Sequence, residues 1–253
     1  MELNLKNKKI LVCGSTSGIG LGIAKSFISE GSNVAITGRS IKKINNLKKK
    51  YNLRNNIFFQ GDLGSIENIY NLKNSIKKKW KHIDCLILNI GSGKSMPPLT
   101  EDHNEWMRMM DVNLHISIKI VQNFIDLFSK KGGSIIFISS ICGKELTSAP
   151  LAYSSAKIAL NLYSKNISKI LATKNIRVNT ISPGNIMFKG STWEQKIRDD
   201  NNFVKNKVLS QVPLGRFGSI EEIANAVLFL SSKKSSFILG HNLIIDGGQT
   251  TTL

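Results

Sequence analysis

The sequence predicts an α/β fold: a single domain, 1–253, built on a doubly wound parallel sheet of about seven strands with helices on both faces. The first observation is that apolar runs of strand length alternate with segments of helical period. The second is that the strand-like runs, such as 135–138, are apolar throughout, which is typical of parallel strands covered on both faces. The third is that no linker-like tract, repeat or low-complexity block interrupts the alternation. Repeated βα units with right-handed crossovers produce a doubly wound sheet.

Each element follows from this alternation in chain order. Strands are expected at 9–13, 33–37, 57–60, 85–89, 133–139, 177–181 and 243–246. Helices are expected at 18–30, 40–51, 65–80, 104–129, 153–172, 192–212 and 220–231. The stretch 185–212 is long, polar and charged, and it follows a Pro-Gly turn at the end of a strand. Because ligands bind at the carboxyl edge of open α/β sheets, we expect 185–212 to form a substrate lid within the domain.

The chain is strongly basic, with 35 Lys and Arg residues against 17 Asp and Glu and a formal net charge of +18. The lysines are scattered along the predicted helices among many asparagines and isoleucines. This distribution indicates compositional drift that leaves a solvated basic surface, so no nucleic-acid partner is predicted. Such a surface would still attract phosphorylated metabolites or an acidic carrier protein over long range.

Cysteine spacing and the length of the apolar runs indicate the compartment. Cys13, Cys85 and Cys142 lie far apart on apolar segments, which predicts reduced, buried thiols. No His, Cys and carboxylate cluster has the spacing of metal ligands, so no metal is predicted. The first residues lack a signal-peptide pattern, and no apolar run approaches the roughly 18–20 residues of a membrane span. We expect a cytoplasmic protein without a membrane partner.

A glycine-rich turn joins the first predicted strand to the first predicted helix. Glycine permits tight turning and close approach of the backbone to a ligand. The free N–H groups at the start of a helix, together with the helix dipole, favour a pyrophosphate. The context of strand, turn and helix therefore predicts a dinucleotide site. The predicted binding residues in this turn are Gly14, Ser15, Thr16, Ser17, Gly18, Ile19 and Gly20.

The end of the second strand indicates which dinucleotide is used. A carboxylate at the position of Gly38 would bind a ribose 2′-hydroxyl and repel a 2′-phosphate, and that carboxylate is missing from the sequence. Arg39 instead offers a fork of donors suited to a phosphate, with Ser40 beside it. The sequence therefore predicts NADP(H) as the cofactor, in preference to NAD(H).

Four further residues form a set: an asparagine, a serine, a tyrosine and a lysine follow one another in that order along the chain. Tyr153 and Lys157 are four residues apart, on one face of a predicted helix. Ser140 lies at the end of the fifth strand, and Asn113 lies in the helix before that strand. With the Gly-x-x-x-Gly-x-Gly turn, this set resembles the short-chain dehydrogenase/reductase family over nearly the whole chain. The resemblance implies a Rossmann-type fold and hydride transfer between a nicotinamide and a small-molecule carbonyl or secondary alcohol.

The resemblance also assigns roles to these four residues. Tyr153 would be the acid/base; its ordinary pKa of about 10 is too high for that at neutral pH. The ammonium of Lys157 and the positive oxidised nicotinamide would favour the phenolate. Lys157 would also bind the ribose hydroxyls, and Ser140 would hold the substrate oxygen. Asn113 would form a kink that holds a water linked to Lys157.

Other motifs extend the resemblance and depart from it in places. Leu88, Ile90 and Phe188 replace an asparagine, an alanine and a threonine of the family pattern. The first two changes affect local packing, and the third removes one polar contact to the cofactor. The remaining implied cofactor-binding residues are Asp62, Leu63, Asn89, Gly91, Pro183, Gly184 and Ile186.

The substrate is less well specified by the residues. We expect its pocket to be lined by 92–96, 141–150 and the lid, in which Trp193 would stack on a ring of the ligand. The polar lid favours a sugar-type or nucleotide-linked substrate. One alternative is a 3-oxoacyl thioester on acyl carrier protein, which the basic surface suits; another is a non-catalytic NADP(H) sensor or a scaffold. The resemblance further implies a homotetramer.

Overall fold

A computed structural model describes residues 2–51, 55–145 and 147–251, without the side chains of Phe203, Lys205 and Lys207. Within these ranges, seven strands form one parallel sheet in the order β3-β2-β1-β4-β5-β6-β7. The predicted parallel sheet is therefore confirmed, with strand ends within two residues of those expected. The strands are β1 Lys9–Cys13, β2 Asn33–Gly38, β3 Ile57–Gln60, β4 Cys85–Leu88, β5 Gly133–Ile138, β6 Ile176–Pro183 and β7 Asn242–Ile245.

Helices follow the strands as the βα pattern requires. Ser219 and Glu222 form a capping box, which fixes the first residue of the last long helix. The helices are α1 Gly18–Ser29, α2 Ile41–Lys50, α3 Ile66–Trp80, α4 His103–Met110, α5 Ile116–Phe124, α6 Leu151–Ala172, α7 Thr192–Asp199, α8 Asn201–Phe203 and α9 Ile220–Ser231.

Two predicted helices are wrong in detail. The helix expected at 104–129 is interrupted by a π-helical turn at Asp111–His115 and ends in a 3-10 turn at Ile125–Leu127. The helix expected at 192–212 breaks after α7, where Asp200 adopts an extended conformation. Beyond it, α8 is followed by a π turn at Val204–Val208 and a 3-10 turn. Irregular buried positions, such as Val204 and Val208, replace one amphipathic stripe in this segment.

The core consists of two apolar layers, one on each face of the sheet. Along β1, Leu11 and Cys13 face the layer formed with α3, α5 and α6, whereas Ile10 and Val12 face the layer formed with α1 and α9. Successive strand residues point to opposite faces, so a strand covered on both sides must be apolar at every position. This explains the uninterrupted apolar runs of the sequence.

The cysteines are free thiols, but not all of them are buried. Burial raises the pKa of the Cys13 thiol far above its ordinary range and raises that of Cys85 to about 12. Cys142 is only partly buried, so the prediction of three buried thiols is wrong at this residue. It follows Ser140 in a turn outside the sheet, where solvent reaches it.

Candidate active site

A cavity of about 800 Å³ lies at the carboxyl edge of β1, β2, β4 and β5. The edge of a parallel sheet where neighbouring crossovers leave in opposite directions is where such folds bind ligands. Here β1 is flanked by β2 and β4, which places this point of divergence beside the glycine-rich turn. The predicted site residues in the cavity wall are Gly14, Thr16, Ser17, Gly18, Ile19, Arg39, Asp62, Leu63, Asn89, Gly91, Tyr153 and Lys157.

The glycine-rich turn is held by neighbouring strands. The backbone N–H of Gly14 donates to Thr37 Oγ1 at 3.0 Å, and Asn89 Nδ2 donates to the Gly14 carbonyl at 3.0 Å. Ser15 is fully buried, and its hydroxyl donates to Val12 O at 2.7 Å and accepts from Thr37 N at 2.9 Å. Asn89 and Ser15 therefore fix the conformation of the turn through hydrogen bonds within the protein, independently of any contact with a ligand.

The first turn of α1 opens onto the cavity. Gly18 has φ +55°, a left-handed conformation that favours glycine. Ser17 precedes the helix without making a side-chain capping bond, so the first N–H groups remain available to an anion. The ring of Phe188 lies against Gly18: a Cβ built at Gly18 would be 2.9 Å from Phe188 Cε2. An aromatic wall thus stands where the family pattern predicts a threonine hydroxyl.

Arg39 follows directly after β2 and lines the cavity. Its side chain is exposed, and among the described residues its guanidinium has no hydrogen-bond or ion-pair partner. The neighbouring Ser40 does not line the cavity, and its hydroxyl accepts from Lys43 N at 3.4 Å, which caps α2. Next to Gly38, the cavity wall therefore carries the guanidinium of Arg39, and position 38 itself has no carboxylate.

Helix α6 brings Lys157 and Tyr153 to the cavity wall one turn apart. Lys157 is only 3% exposed, and its Nζ donates to the carbonyl of Ile138, at the end of β5, at 3.1 Å. The same Nζ lies 5.8 Å from the centre of the Tyr153 ring. The bond to β5 fixes the lysine at the sheet edge, so both side chains face the same space.

Burial changes the acidity of both groups. It lowers the pKa of Lys157 to about 8 and raises the pKa of Tyr153 to about 12, although the hydrogen bond with Ser140 opposes the rise. Desolvation is the largest influence on the Tyr153 pKa, whereas the effect of Lys157 together with an oxidised nicotinamide on the phenolate stays a prediction. At neutral pH the tyrosine is therefore a phenol, which is the proton-donating form.

Asn113 lies in the π-helical turn and is fully buried. Its Nδ2 donates to Met109 O at 3.1 Å and to Ser92 O at 3.0 Å, while its Oδ1 accepts from Ser92 N at 3.0 Å. The side chain thus bonds the carbonyl four residues earlier, which is a local cause of the helix irregularity. The π-helical turn lies where a kink is expected, and the water linked to Lys157 stays a prediction.

Gly91 lies between Asn113 and Lys157. A Cβ built at Gly91 would be 2.9 Å from Asn113 Oδ1 and 3.2 Å from Lys157 Nζ. Both polar groups therefore face the same small region beside the backbone of Gly91. Only glycine leaves that region open.

Ser140 follows β5 and is 8% exposed. Its Oγ accepts from Cys142 N at 3.2 Å, which starts a 3-10 turn at Ile141–Gly143. The influence of Ser140 on the Tyr153 pKa shows that the two hydroxyls are neighbours. The structure thus brings Ser140, Tyr153 and Lys157 together from β5 and α6.

The turn after β6 packs against the carboxyl end of β7. Gly184 N donates to Ile245 O at 2.9 Å, and Ile186 pairs with Gly218. These residues and Pro183 support the base of the predicted lid, but they are not among the residues that line the cavity. Gly20, inside α1, is likewise buried away from the wall.

A sequence profile described as Enoyl-(Acyl carrier protein) reductase matches residues 14–250. The match runs from the glycine-rich turn past the last strand. The chain belongs to the short-chain dehydrogenase/reductase family. The family comprises oxidoreductases that act on CH–OH and C=O groups.

Named relatives of this short-chain dehydrogenase/reductase include two classes of reductase. It is 34% identical to 3-oxoacyl-[acyl-carrier-protein] reductase of Aquifex aeolicus, over 98% of this chain and 100% of that protein. It is 33% identical to the same reductase of Buchnera aphidicola, over 98% and 99% of the two chains. Its structure matches L-sorbose reductase of Gluconobacter frateurii, solved with NADPH and L-sorbose, at TM-score 0.92, 26% identity and full coverage of both chains.

Sequence reasoning missed residues of α4 and of the following π-helical turn in the dehydrogenase/reductase site. Arg108 in α4 and Asp111 and Val112 in the turn line the cavity, three and four residues apart, so helical periodicity could have identified them. The guanidinium of Arg108 is held by Glu105 at 2.6 Å and by Lys94 O at 2.7 Å. This network lowers the pKa of Glu105 to about 2, mainly through the hydrogen bond from Arg108.

The structure agrees only in part with the residues that we expected to line the substrate pocket of this family member. Trp193 packs against Phe217, with ring centres 5.6 Å apart, and Lys196 Nζ lies 4.9 Å from the tryptophan ring. The ring expected to stack on a ligand is therefore engaged within the protein. Within the expected wall 141–150, Leu146 lies outside the described residues.

Neither a metal centre nor a membrane-spanning helix is present in the described residues. They contain no group of three or more His, Cys, Asp and Glu side chains arranged to hold a metal ion. In the same residues, no helix is both long enough and apolar enough to cross a bilayer.

Proposed function

We propose that this short-chain dehydrogenase/reductase uses NADP(H) to interconvert a ketone and a secondary alcohol, with Tyr153 as the acid/base. The observation that carries the proposal is that one cavity joins the open start of α1 and the unpaired Arg39 to Tyr153 and Lys157. The start of α1 and Arg39 suit a phosphorylated dinucleotide, and Tyr153 and Lys157 suit proton transfer. Bound NADP(H) would supply or accept the hydride.

The cofactor assignment is supported by the donors in the cavity. The N–H groups at the start of α1 suit a pyrophosphate, and the free guanidinium of Arg39 suits a 2′-phosphate. Gly38 presents no carboxylate to repel that phosphate. The related L-sorbose reductase was solved with NADPH, which supports the same choice.

The proton step follows from the state of Tyr153. With a pKa raised to about 12 by burial, its hydroxyl is protonated at neutral pH and can donate to an oxygen that becomes negative during reduction. Ser140 would hold that oxygen beside the phenol. Lys157, with a pKa lowered to about 8, exchanges protons readily near neutral pH and would resupply the tyrosine. Asn113 would position a water between the lysine and solvent.

Two substrate classes are each supported by an observation. A polar, sugar-type ketone is supported by the full-length structural match to L-sorbose reductase and by the long polar segment 185–212, which we propose as the lid. A 3-oxoacyl thioester on acyl carrier protein is supported by relatives at 34% identity and by a net charge of +18, which suits an acidic partner. Because Trp193 is packed against Phe217, the ring-stacking argument no longer favours the sugar.

We also propose a single domain that assembles as a cytoplasmic homotetramer. Leu151, Ile158 and Leu162 are 41%, 55% and 63% exposed on one face of α6. An apolar stripe of this kind would be covered by a second copy of the chain in a closed, symmetric assembly. Sedimentation of the purified protein tests the assembly.

The function is tested by following NADPH oxidation with keto-sugars, 3-oxoacyl thioesters carried on acyl carrier protein, and simple diketones. We expect turnover with one class that is lost in Tyr153→Phe by a factor of about 10² to 10⁴, while NADPH affinity stays the same. Tight NADPH binding with no turnover on any substrate would favour the sensor, and unchanged turnover in Tyr153→Phe would refute the role of the phenol.

A further inference from the structure

The glycine at the end of β2 is not required by the backbone. Gly38 is the last residue of an extended strand, outside the left-handed region, where any residue is allowed. Space is the constraint instead. A Cβ built at Gly38 would lie 2.6 Å from Thr16 Oγ1 and 3.0 Å from Thr16 Cβ, and it would also overlap Thr16 Cγ2.

Rotation of the Thr16 side chain removes this overlap only in part. A change of χ1 moves Cγ2 and Oγ1 but leaves Cβ in place, 3.0 Å from the added atom. Non-bonded carbon atoms prefer about 3.5–4.0 Å. The turn itself is tied to β2, because Ser15 N donates to Thr37 O at 2.9 Å and Gly14 N donates to Thr37 Oγ1 at 3.0 Å. Any side chain at position 38 must therefore displace the glycine-rich turn.

We propose that Thr16 is a specificity-determining residue, which keeps position 38 free of the carboxylate that would select a ribose 2′-hydroxyl. The inference rests on the proposed use of NADP(H) and deepens it. Arg39 attracts a 2′-phosphate. Thr16 acts by steric exclusion, because it leaves no space at position 38 for the carboxylate side chain that would favour NAD(H).

A double-mutant cycle on dinucleotide binding tests the exclusion. Gly38→Ala adds only a methyl group and Gly38→Asp adds a carboxylate; each is made alone and together with Thr16→Gly. Calorimetry on the full chain measures NADPH and NADH affinity, and thermal unfolding shows that each variant is folded. Thr16→Ala is the matched control, because it keeps the Cβ that lies 3.0 Å from the added atom.

We expect Gly38→Ala to weaken NADPH and NADH about tenfold, with most of the loss recovered when Thr16→Gly is added. Thr16→Ala should recover less. Gly38→Asp alone should bind both dinucleotides poorly, whereas Thr16→Gly with Gly38→Asp should bind NADH about tenfold more tightly than Gly38→Asp does, and should prefer it to NADPH.

Two results would overturn the inference while leaving the proposed function intact. One is additivity, in which Thr16→Gly recovers none of the affinity lost in Gly38→Ala although the wild type binds NADPH. The other is a preference for NADH in Gly38→Asp alone, equal to that of the double variant. A wild-type chain that binds neither dinucleotide would overturn the proposed function and this inference with it.

Discussion

Replacement of Lys157 by Met is expected to stabilise the protein at neutral pH while it removes turnover. Burial lowers the pKa of Lys157 from 10.5 to about 8. Each pKa unit corresponds to about 1.4 kcal/mol, so the charged lysine lowers the free energy of unfolding by about 3 kcal/mol. Methionine fills a similar volume without charge but loses the bond to Ile138 O, worth about 1 kcal/mol. The expected net gain is about 2 kcal/mol.

The gain should depend on pH with a definite sign. At pH 7 the lysine is protonated in both the folded and the unfolded chain, so the cost of the buried charge is fully present. Between pH 8 and 10.5 the unfolded chain binds more protons than the folded one, so the stability of the wild type rises with pH. Lys157→Met lacks this group, and its advantage should therefore shrink over that interval.

Urea unfolding of the ligand-free protein at pH 7 and pH 9.5 measures both effects. The matched control is Lys169→Met, at an exposed lysine in the last turn of the same helix, where a change of at most about 1 kcal/mol is expected. A Lys157→Met variant less stable than the wild type at pH 7, or equally advantaged at both pH values, would refute the reasoning.

Three further predictions concern the cavity. Arg39→Ala should weaken NADPH by about 10- to 100-fold and NADH little, because it removes a charged hydrogen bond to the 2′-phosphate. Gly91→Ala should lower kcat at least about tenfold, since its Cβ would displace Asn113 and Lys157. Phe188→Thr should tighten NADPH about fivefold, because a hydroxyl replaces the ring at the phosphate turn. Titration calorimetry measures the first and third, and steady-state kinetics the second.

Each of these predictions has a contrary outcome. Equal losses of NADPH and NADH in Arg39→Ala would mean that the guanidinium does not bind the 2′-phosphate. Unchanged kcat in Gly91→Ala would show that the space beside that residue has no part in turnover. Weaker NADPH binding in Phe188→Thr would show that the aromatic ring supports the dinucleotide.

The sequence alone determined the α/β sheet and most of its strand ends. A parallel strand covered on both faces must be apolar at every position, and a surface helix must be apolar every three to four residues. These requirements act on neighbouring residues, so the sequence shows them directly. Both β1 and β5, for example, are apolar runs in the sequence. Helical spacing placed Tyr153 and Lys157 on one face of a helix, and the resemblance to the family identified them as the acid/base pair.

The tertiary structure decided what depends on contacts between distant segments. The Asn113 side chain is held by the backbone of Ser92, twenty-one residues earlier, and the packing of Trp193 depends on Phe217. The high pKa of Tyr153 arises from burial, which the spacing of residues in the sequence does not show. Thr16 and Gly38 are twenty-two residues apart and meet only when β1 pairs with β2. Periodicity records which face a residue occupies, whereas steric exclusion and desolvation depend on the atoms that the fold brings against it.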